Sequence, residues 1–157
     1  MIPPDEFRKI AGSWLTGVAI VTTVDAQGKP HGMTMSAVTS LSLEPPQFLI
    51  CVDRRARTLD AIRESACFCI NYLSAEQQEL AAQFARRSGD RFSKVEYRTG
   101  KTGAPILEGA IAHVECRLRA IHPGGDHGIV VGNAIQGDAN GGAPLVYFRG
   151  AYRTISS

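Results

Sequence analysis

Three short segments of this 157-residue chain combine residue types that suit ligand binding, and the first of them is Gly32–Ser40. It reads Gly-Met-Thr-Met-Ser-Ala-Val-Thr-Ser, with small and hydroxyl side chains where a core strand would carry Val or Leu. Small side chains let a flat ligand approach the backbone, and hydroxyl and free N–H groups can bond its polar edge. A half-exposed strand rich in Thr and Ser is the alternative interpretation.

The second segment, Val52–Thr58, is the densest cluster of basic residues in the chain. Arg54, Arg55 and Arg57 stand just before Thr58, where the pattern predicts the start of a helix. Cationic side chains, a hydroxyl and a helix N-terminus together favour binding of a phosphate group. A solvated basic turn is the competing interpretation.

The third segment, His122–Gly128, contains two histidines around a glycine-rich turn. Gly124 and Gly125 allow the backbone to approach another group closely, and His127 follows at the entry to a predicted strand. Two histidines without a third ligand are weak support for a metal site, so no metal is assigned. A surface turn with an incidental histidine is the other alternative.

The sequence contains none of the common catalytic signatures, such as G-x-S-x-G, H-E-x-x-H, a P-loop or G-x-G-x-x-G. An enzyme built from this chain must therefore depend on a bound cofactor or on backbone groups. Four cysteines are present without C-x-x-C spacing. We interpret them as buried reduced thiols, which indicates a reducing, cytoplasmic compartment; they are Cys51, Cys67, Cys69 and Cys116.

Charge and hydropathy argue against two classes of partner. A net charge of +2 with scattered basic residues does not indicate binding to nucleic acid or to an anionic membrane. No apolar run approaches the length of about 18 residues that a transmembrane helix needs. The N-terminal Pro3, Pro4, Asp5 and Glu6 also differ from the start of a secretory signal peptide.

The elements that would position these segments are mainly strands. An initial helix is predicted to end at Gly17, with one apolar stripe formed by Phe7, Ile10, Ala11 and Trp14. Strands are predicted at 18–24, 30–43, 47–52, 67–72, 112–120, 129–135, 145–148 and 151–155. Turns are expected at 25–28, 123–126 and 138–142, and strand 47–52 is so apolar that burial on both faces is expected.

Two further helices interrupt the strands. One is short, at 58–64, and the other begins with a capping box between Ser74 and Gln77 and continues to about Arg87. The segment 88–103 is predicted to be a long loop, the kind that is often functional. The inner face of the second helix is assigned to Leu80, Ala81 and Phe84.

The order of these elements favours a mainly β fold. Strands and helices do not alternate regularly, which argues against a parallel Rossmann sheet. A Greek-key or closed barrel of antiparallel strands with a few helices fits the pattern better. No linker, repeat or low-complexity segment divides the chain, so residues 1–157 are predicted to form a single domain.

Taken in order, the three segments resemble the flavin reductase family with the FMN-binding split-barrel fold. The resemblance extends from Phe7 to Tyr152 and is nearest to the reductase components of two-component monooxygenases for aromatic compounds such as 4-hydroxyphenylacetate or chlorophenols. The motifs that carry it are Gly-Val-Ala-Ile-Val-Thr-Thr (17–23), Gly-Met-Thr-x-Ser-Ala (32–37), Ser-Leu-Ser-Leu-Glu-Pro-Pro (40–46), Asp-Arg-Arg-Ala-Arg-Thr (53–58), Gln-Phe-Ala (83–85), Gly-Gly-Asp-His (124–127) and Pro-Leu-Val-Tyr-Phe-Arg-Gly-x-Tyr-Arg (144–153).

The resemblance implies an NAD(P)H:flavin oxidoreductase that transfers a hydride from NADH or NADPH to FMN or FAD and supplies reduced flavin to a partner monooxygenase. It also implies a homodimer with Trp14 as a candidate contact, and it places His127 against the nicotinamide. The other implied cofactor-binding residues are Thr34, Met35, Ser36, Ala37 and Ser40 around the ring and ribityl chain, Cys51, Val52 and Asp53 beside the ring, Arg57 and Thr58 at the phosphate, Phe84 and Ala85 closing the flavin site, and Tyr152 and Arg153 at the nicotinamide mouth.

Three other interpretations stay open. The chain could keep its flavin and reduce another acceptor, such as a corrinoid or a ferric chelate. It could bind or store flavin without turnover, or it could be a structural barrel that binds no flavin. The sequence does not distinguish FAD from FMN or NADH from NADPH.

Overall fold

The computed structural model describes residues 1–155, so the domain predicted over 1–157 includes two serines that lie outside the described residues. Within that range the helices are α1 (Pro4–Gly12), α2 (Arg57–Ser65) and α3 (Gln78–Ala85), with a 3-10 turn at Ala75–Gln77 before α3. The strands are β1 (Thr16–Gly17), β2 (Ala19–Val24), β3 (Pro30–Met35), β4 (Val38–Leu43), β5 (Pro46–Asp53), β6 (Cys67–Tyr72), β7 (Tyr97–Thr99), β8 (Pro105–Leu107), β9 (Ala112–Gly124), β10 (His127–Ala139), β11 (Leu145–Phe148) and β12 (Ala151–Thr154).

Seven antiparallel strands form the main sheet in the order β3-β2-β6-β9-β10-β5-β4. β3 and β4 lie at its two edges, yet only the Ser36–Ala37 link separates them in the chain. Because so short a link spans at most about 10 Å, the sheet must curl until its edges approach each other. The predicted mainly β barrel is therefore confirmed. Two smaller sheets, β1-β11-β12 and β7-β8, accompany it.

Among the described residues, two large hydrophobic clusters form most of the core, beside a small third one of Cys69, Ala104 and Ile106, and residues at β2 contribute to both large clusters. Ala19 and Val21 belong to the barrel cluster, whereas Val18 and Ile20 belong to a second cluster with α3. Alternate residues of a strand face opposite sides, so burial on both sides explains the uninterrupted apolar run at 18–21. The barrel cluster also contains Met35, Ile50, Val52, Leu59, Ile62, Phe68, Ile70, Val114, Cys116 and Val130, and the second also contains Leu73, Ala81, Phe84, Leu107 and Leu145.

The hairpin of β9 and β10 is longer than predicted. Each strand has 13 residues, and their pairing continues to a two-residue tip formed by Gly125 and Asp126. Gly125 has a φ of +69°, a conformation that favours glycine. The turns predicted at 123–126 and 138–142 are therefore too wide, because strand pairing includes part of each. Register shifts follow Val131 and Ala134 and let the long hairpin bend.

The predictions for the strands at 30–43 and 47–52 are wrong in two respects. The single strand predicted at 30–43 is broken at the Ser36–Ala37 link, because β3 pairs with β2 whereas β4 pairs with β5. The burial of 47–52 on both faces is also wrong. Only Ile50 and Val52 of β5 are buried, and Cys51 between them is half-buried because the other face of β5 is left partly open.

The apolar stripe of the first helix forms as predicted but does not enter the core. α1 ends at Gly12, five residues before the predicted end at Gly17, and none of its residues is buried. The exposed fractions are 60% for Phe7, 59% for Ile10 and 78% for Trp14, which follows the helix. The described part of the chain thus leaves this stripe uncovered.

The third helix and the segment after it differ from the prediction in detail. The capping box is confirmed, since Gln77 Oε1 accepts a hydrogen bond from the Ser74 N–H at 3.0 Å. The helix begins as the 3-10 turn and ends at Ala85, two residues before Arg87. The loop predicted at 88–103 contains β7, which pairs with β8, a strand that was not predicted.

Two buried polar side chains attach the segment after β7 to the barrel. Asn71 on β6 donates to backbone carbonyls and accepts from the Leu107 N–H at 2.8 Å. Glu115 on β9 is fully buried and accepts from the N–H groups of Lys101 (3.2 Å) and Thr102 (2.8 Å) and from the Thr102 hydroxyl (2.7 Å). Each side chain thus replaces backbone pairing that the short β8 cannot provide.

All four cysteines are free. The prediction of buried thiols is confirmed for Cys67, Cys69 and Cys116 and is wrong for Cys51, which is half-buried. Burial raises the pKa of Cys69 and raises that of Cys116 to about 12, so both thiols stay protonated at neutral pH.

Candidate functional site

The last residues of β5 lie between the starts of β4 and β10 and bring the three predicted segments together. Asp53 is paired in register with His127, and Cys51 is paired with Ile129 on β10. On the other side, the Cys51 N–H donates to the Ala37 carbonyl at 3.1 Å. The small-residue segment, the end of β5 and the histidine therefore form one continuous surface, which we call the β5 surface.

The Ser36–Ala37 link is the exposed part of the first segment. Ser36, Ala37 and Ser40 are exposed, and their small side chains leave room for a flat group to approach the backbone. The Ala37 carbonyl is already occupied by Cys51, so the Ser36 side chain offers the accessible polar group at this point. This arrangement fits the edge of a planar ring.

Thr34 and Met35 precede the link and are largely used by the fold. The Thr34 hydroxyl donates to the Ala81 carbonyl of α3 at 2.7 Å, and Thr34 is half-buried. Met35 is 8% exposed and belongs to the barrel cluster. Their side chains therefore position β3 against α3 and the core, and only their backbone is suited to ligand contact.

The second segment ends at the N-terminus of α2. Arg57 is the first residue of α2, is exposed, and makes no ion pair among the described residues. No side chain caps the start of α2 in that part of the chain, so its first N–H groups remain available for an anion. Thr58, the second residue of α2, is only 3% exposed. A phosphate group fits this donor set.

Asp53 has its carboxylate occupied by a neighbour. Arg55 donates to it through its backbone N–H (2.9 Å), Nε (3.1 Å) and Nη2 (2.9 Å). These hydrogen bonds lower the pKa of Asp53 well below its usual range, so the carboxylate is ionised throughout the neutral range. Asp53 thus acts as a fixed negative charge beside His127 and does not suit the role of a general acid.

His127 begins β10 at the tip of the hairpin and is half-buried. Its Nδ1 lies 2.7 Å from Oδ1 of Asp126. The Arg54 N–H donates to the Asp126 carbonyl at 3.0 Å, which attaches the tip to the turn after β5. Within residues 1–155 no group of three or more metal-ligating side chains occurs, so His122 and His127 lack further ligands there.

The remaining predicted residues form a second group around α3 and β12. Phe84 has no exposed surface and packs edge-on against Phe92 at 4.9 Å between ring centroids. The ring of Phe84 thus packs in the second cluster and supports α3, and its role in closing the flavin site stays a prediction. Ala85 is exposed at the end of α3.

Tyr152 and Arg153 lie on β12 in the small sheet. Tyr152 packs on the second cluster and against Tyr147, at 5.5 Å between ring centroids, and Arg153 is exposed. In the part of the chain that the structure describes, no hydrogen bond or strand pairing joins either residue to His127. The structure thus joins the residues around β5, whereas the α3 residues contact the first segment through Thr34 and Gly32.

Residue-by-residue reasoning missed Asp126 and Arg54, although both stand next to predicted residues. Their roles depend on the pairing of β5 with β10, which brings residues far apart in the chain into contact. The adjacency of Asp126 and His127 in the sequence was the one available signal. No sequence pattern predicts that Arg54 would bind the hairpin tip.

Two surface cavities lie away from the β5 surface. The larger, about 510 Å³, lies between α3 and the segment after it, and its lining includes Gln83, Arg86 and Asp90. The smaller, about 300 Å³, is apolar and includes Tyr72 and Leu145 in its lining. None of the predicted cofactor-binding residues lines either of these two cavities. The described residues include no helix long and apolar enough to cross a membrane.

The amino-acid sequence is similar to those of known flavin reductases. The family model described as flavin reductase like domain matches residues 11–156. The reductase subunit HsaB of a flavin-dependent monooxygenase from Rhodococcus jostii is 39% identical over 155 residues, which are 98% of this chain and 79% of that protein. An NADH-dependent flavin reductase from a Rhodococcus species is 36% identical over 156 residues, 98% of this chain and 88% of that protein.

A solved structure matches equally well. The NADH:FAD oxidoreductase SgcE6 from Streptomyces globisporus, in complex with NAD and FAD fragments, has a TM-score of 0.92 at 33% identity, covering 99% of this chain and 96% of that chain. The predicted resemblance, the barrel fold and the assignment to the oxidoreductases are confirmed by these matches. The chain belongs to the flavin reductase family.

Proposed function

We propose that this chain transfers a hydride from NADH to FMN or FAD and releases reduced flavin to a partner monooxygenase. The observation that carries the proposal is the β5 surface, where a small-residue link and a histidine flank the end of β5. The uncapped start of α2, with the exposed Arg57, follows β5 directly in the chain. Relatives named as NADH-dependent flavin reductases support NADH as the donor. The lack of conventional catalytic motifs agrees with chemistry supplied by cofactors.

When bound, the two cofactors supply the hydride donor at the nicotinamide C4 and the acceptor at the flavin N5. The residues of the chain then have to stack and orient two rings and compensate charge. The Ser36–Ala37 link and the open face of β5 at Cys51 suit the flavin ring, because both present backbone and small side chains. Arg57 and the first N–H groups of α2 suit its phosphate.

His127 is suited to place the nicotinamide. It lies at the mouth of the β5 surface, directly opposite Asp53. An imidazole at this point can pack against a planar ring or bond a carboxamide. We expect substitution of His127 to impair NADH use while leaving flavin affinity nearly unchanged.

We further propose that the chain works as a cytoplasmic homodimer. The apolar stripe of α1 and Trp14 is exposed in the single chain, and contiguous apolar surface of this kind often marks a protein interface. Tyr152 and Arg153, which lie apart from His127 within one chain, could then serve the site of the other subunit.

The function is tested by steady-state oxidation of NADH and NADPH with FMN, FAD and riboflavin as acceptors in turn. We expect NADH oxidation that depends on added free flavin and saturates with it. NADH oxidation that instead depends on a corrinoid or ferric chelate, with flavin retained through gel filtration, would point to the other type of reductase. Flavin binding without NADH oxidation would indicate that the chain binds or stores flavin without turnover.

The oligomeric state is tested by sedimentation velocity on the wild type and on a Trp14→Glu variant. We expect a dimer for the wild type and a shift towards monomer, with loss of flavin reduction, for the variant. A wild-type monomer that reduces flavin at the full rate would refute the homodimer. Lys29→Glu, which also changes an exposed residue but lies in the turn between β2 and β3, serves as the matched control.

A further inference from the structure

The tip of the β9–β10 hairpin is held more firmly than its exposure suggests. Asp126 is exposed, with 86% of its side chain accessible, yet its backbone is fixed by the Arg54 N–H at 3.0 Å. The Arg54 Nη1 also donates to the Gly125 carbonyl at 3.4 Å. Two contacts from the turn after β5 therefore determine where the Asp126 carboxylate lies relative to the β5 surface.

The contact between Asp126 and His127 determines which ring nitrogen carries a proton. Oδ1 of Asp126 lies 2.7 Å from Nδ1 of His127. An ionised carboxylate only accepts hydrogen bonds, so Nδ1 must be the donor. The same hydrogen bond lowers the pKa of Asp126, which keeps the carboxylate ionised at neutral pH. In the neutral imidazole Nε2 is then left as an unprotonated acceptor.

A second Asp–His pair in the same chain has the opposite arrangement. Asp25, in the turn after β2, has its Oδ2 2.9 Å from Nε2 of His31 on β3. The same reasoning assigns the proton of His31 to Nε2 and leaves Nδ1 unprotonated. His31 therefore serves as an internal reference for the Nε2-protonated tautomer, whereas His127 is assigned the Nδ1-protonated one.

We infer that Asp126 is a positioning residue, which holds His127 with Nδ1 protonated so that Nε2 accepts a hydrogen bond from the carboxamide N–H of the nicotinamide. This inference rests on the proposed function. A carboxamide NH₂ is a donor, and it needs an acceptor at the mouth of the site. The other carboxylate near His127, Asp53, accepts its hydrogen bonds from Arg55, and among the described residues it makes none with His127. Asp126 therefore acts through the ring of His127 and touches no cofactor itself.

The first test is the tautomer of His127, read from ¹⁵N chemical shifts of histidine-labelled protein with His127→Gln used for assignment. We expect His127 to have its proton on Nδ1 and His31 to have its proton on Nε2. In the Asp126→Ala variant we expect the proton of His127 to move largely to Nε2. A wild-type His127 with its proton on Nε2 would overturn the inference.

The second test separates positioning from a merely structural role. Asp126→Ala should raise the KM for NADH about tenfold, the effect of one lost hydrogen bond, with little change in kcat or in the KM for flavin. Asp126→Asn retains an oxygen acceptor for Nδ1 and should restore most of the lost affinity. Asp138→Ala, an exposed aspartate at the opposite end of β10, is the matched control and should behave as the wild type.

The outcomes distinguish this inference from the proposed function. An unchanged KM for NADH in folded Asp126→Ala, or equal losses in the Asn and Ala variants, would overturn the positioning role. A wild-type protein that oxidises no NADH would overturn the proposed function and with it the inferred role. The ¹⁵N spectrum would still report the geometry of the pair, so the two failures are separable.

Discussion

Glu115 and Asp126 are both carboxylates that accept short hydrogen bonds, but they lie in contrasting regions of the molecule. Glu115 has no exposed surface, and three donors from the segment after β7 satisfy it. Asp126 is exposed and has one side-chain partner, His127. A buried and fully bonded carboxylate stabilises a fold, because removing it leaves donors unsatisfied. An exposed one contributes little to stability, and Asp126 can instead serve to orient the side chain of His127.

The same contrast extends to the surroundings of each carboxylate. Around Glu115, Asn71 bonds backbone groups of β2 and of the segment that contains β8, so the donors and acceptors there are used by the fold. On the β5 surface, Arg57 makes no ion pair among the described residues and the start of α2 has no side-chain cap in that range. Unused bonding capacity on an otherwise ordered surface thus distinguishes the candidate site from the buried network.

The largest effect on stability should come from Glu115→Ala. The substitution leaves the N–H groups of Lys101 and Thr102 and the Thr102 hydroxyl without their acceptor in a buried place. We expect the free energy of unfolding to fall by about 2–4 kcal/mol, measured by urea denaturation. Glu79→Ala, on the exposed face of α3, is the control and should change it by less than about 0.5 kcal/mol. Equal effects of the two variants would remove the distinction between the regions.

A smaller loss should follow Gly132→Ala in the barrel. A Cβ at Gly132 would lie 2.5 Å from Phe68 Cζ and 2.8 Å from Cys116 Cβ, so the ring of Phe68 would have to shift. Overpacking of this kind costs about 1–3 kcal/mol. Gly17→Ala is the matched control, since no atom lies within 4 Å of the added carbon. A drop in melting temperature for Gly132→Ala alone would confirm the tight packing.

The ionisation of the buried Glu115 carboxylate should also make the unfolding free energy depend on pH. Burial raises the pKa of Glu115, but hydrogen bonds from Thr102 and Lys101 lower it by more, so it lies below the ordinary value of 4.5. A lowered pKa in the folded state stabilises the protein above the unfolded pKa, and this contribution is lost as the pH falls through the folded pKa. Unfolding free energies of the wild type should therefore decrease below about pH 4.5, and Glu115→Gln should show a shallower decrease.

The smallest effect on stability, with the clearest effect on binding, should come from Arg57→Ala. The side chain is exposed and unpaired in the described chain, so we expect the unfolding free energy to change by less than about 0.5 kcal/mol. Loss of one charge-assisted hydrogen bond should weaken binding of FMN and FAD about tenfold to a hundredfold, measured by calorimetry, and leave riboflavin unaffected. Arg63→Ala at the other end of α2 should leave all three unchanged. Equal loss for the three flavins would show that Arg57 does not contact phosphate.

The sequence predicted the barrel and much of the β5 surface for identifiable reasons. Strand periodicity at 112–120 and the capping box of Ser74 and Gln77 are local patterns, and both recur in the structure. The separation of β3 from β4 at the Ser36–Ala37 link could not be predicted from the local sequence, because β-forming residues continue on both sides of the link. The exposure of one face of β5 and of the apolar stripe of α1 depends on whether other elements pack against them. Periodicity within a single element does not contain that information.

The pairing of β5 with β10 also has a consequence for how the protein is made. Asp53 and His127 are register partners although about 75 residues separate them. Contacts between such distant residues form slowly, since a long loop must close before they add stability. The β5 surface can therefore exist only after most of the chain has left the ribosome. We expect pulsed hydrogen exchange during refolding to protect the amides within the β9–β10 and β4–β5 hairpins before the amides through which β5 and β10 pair with each other.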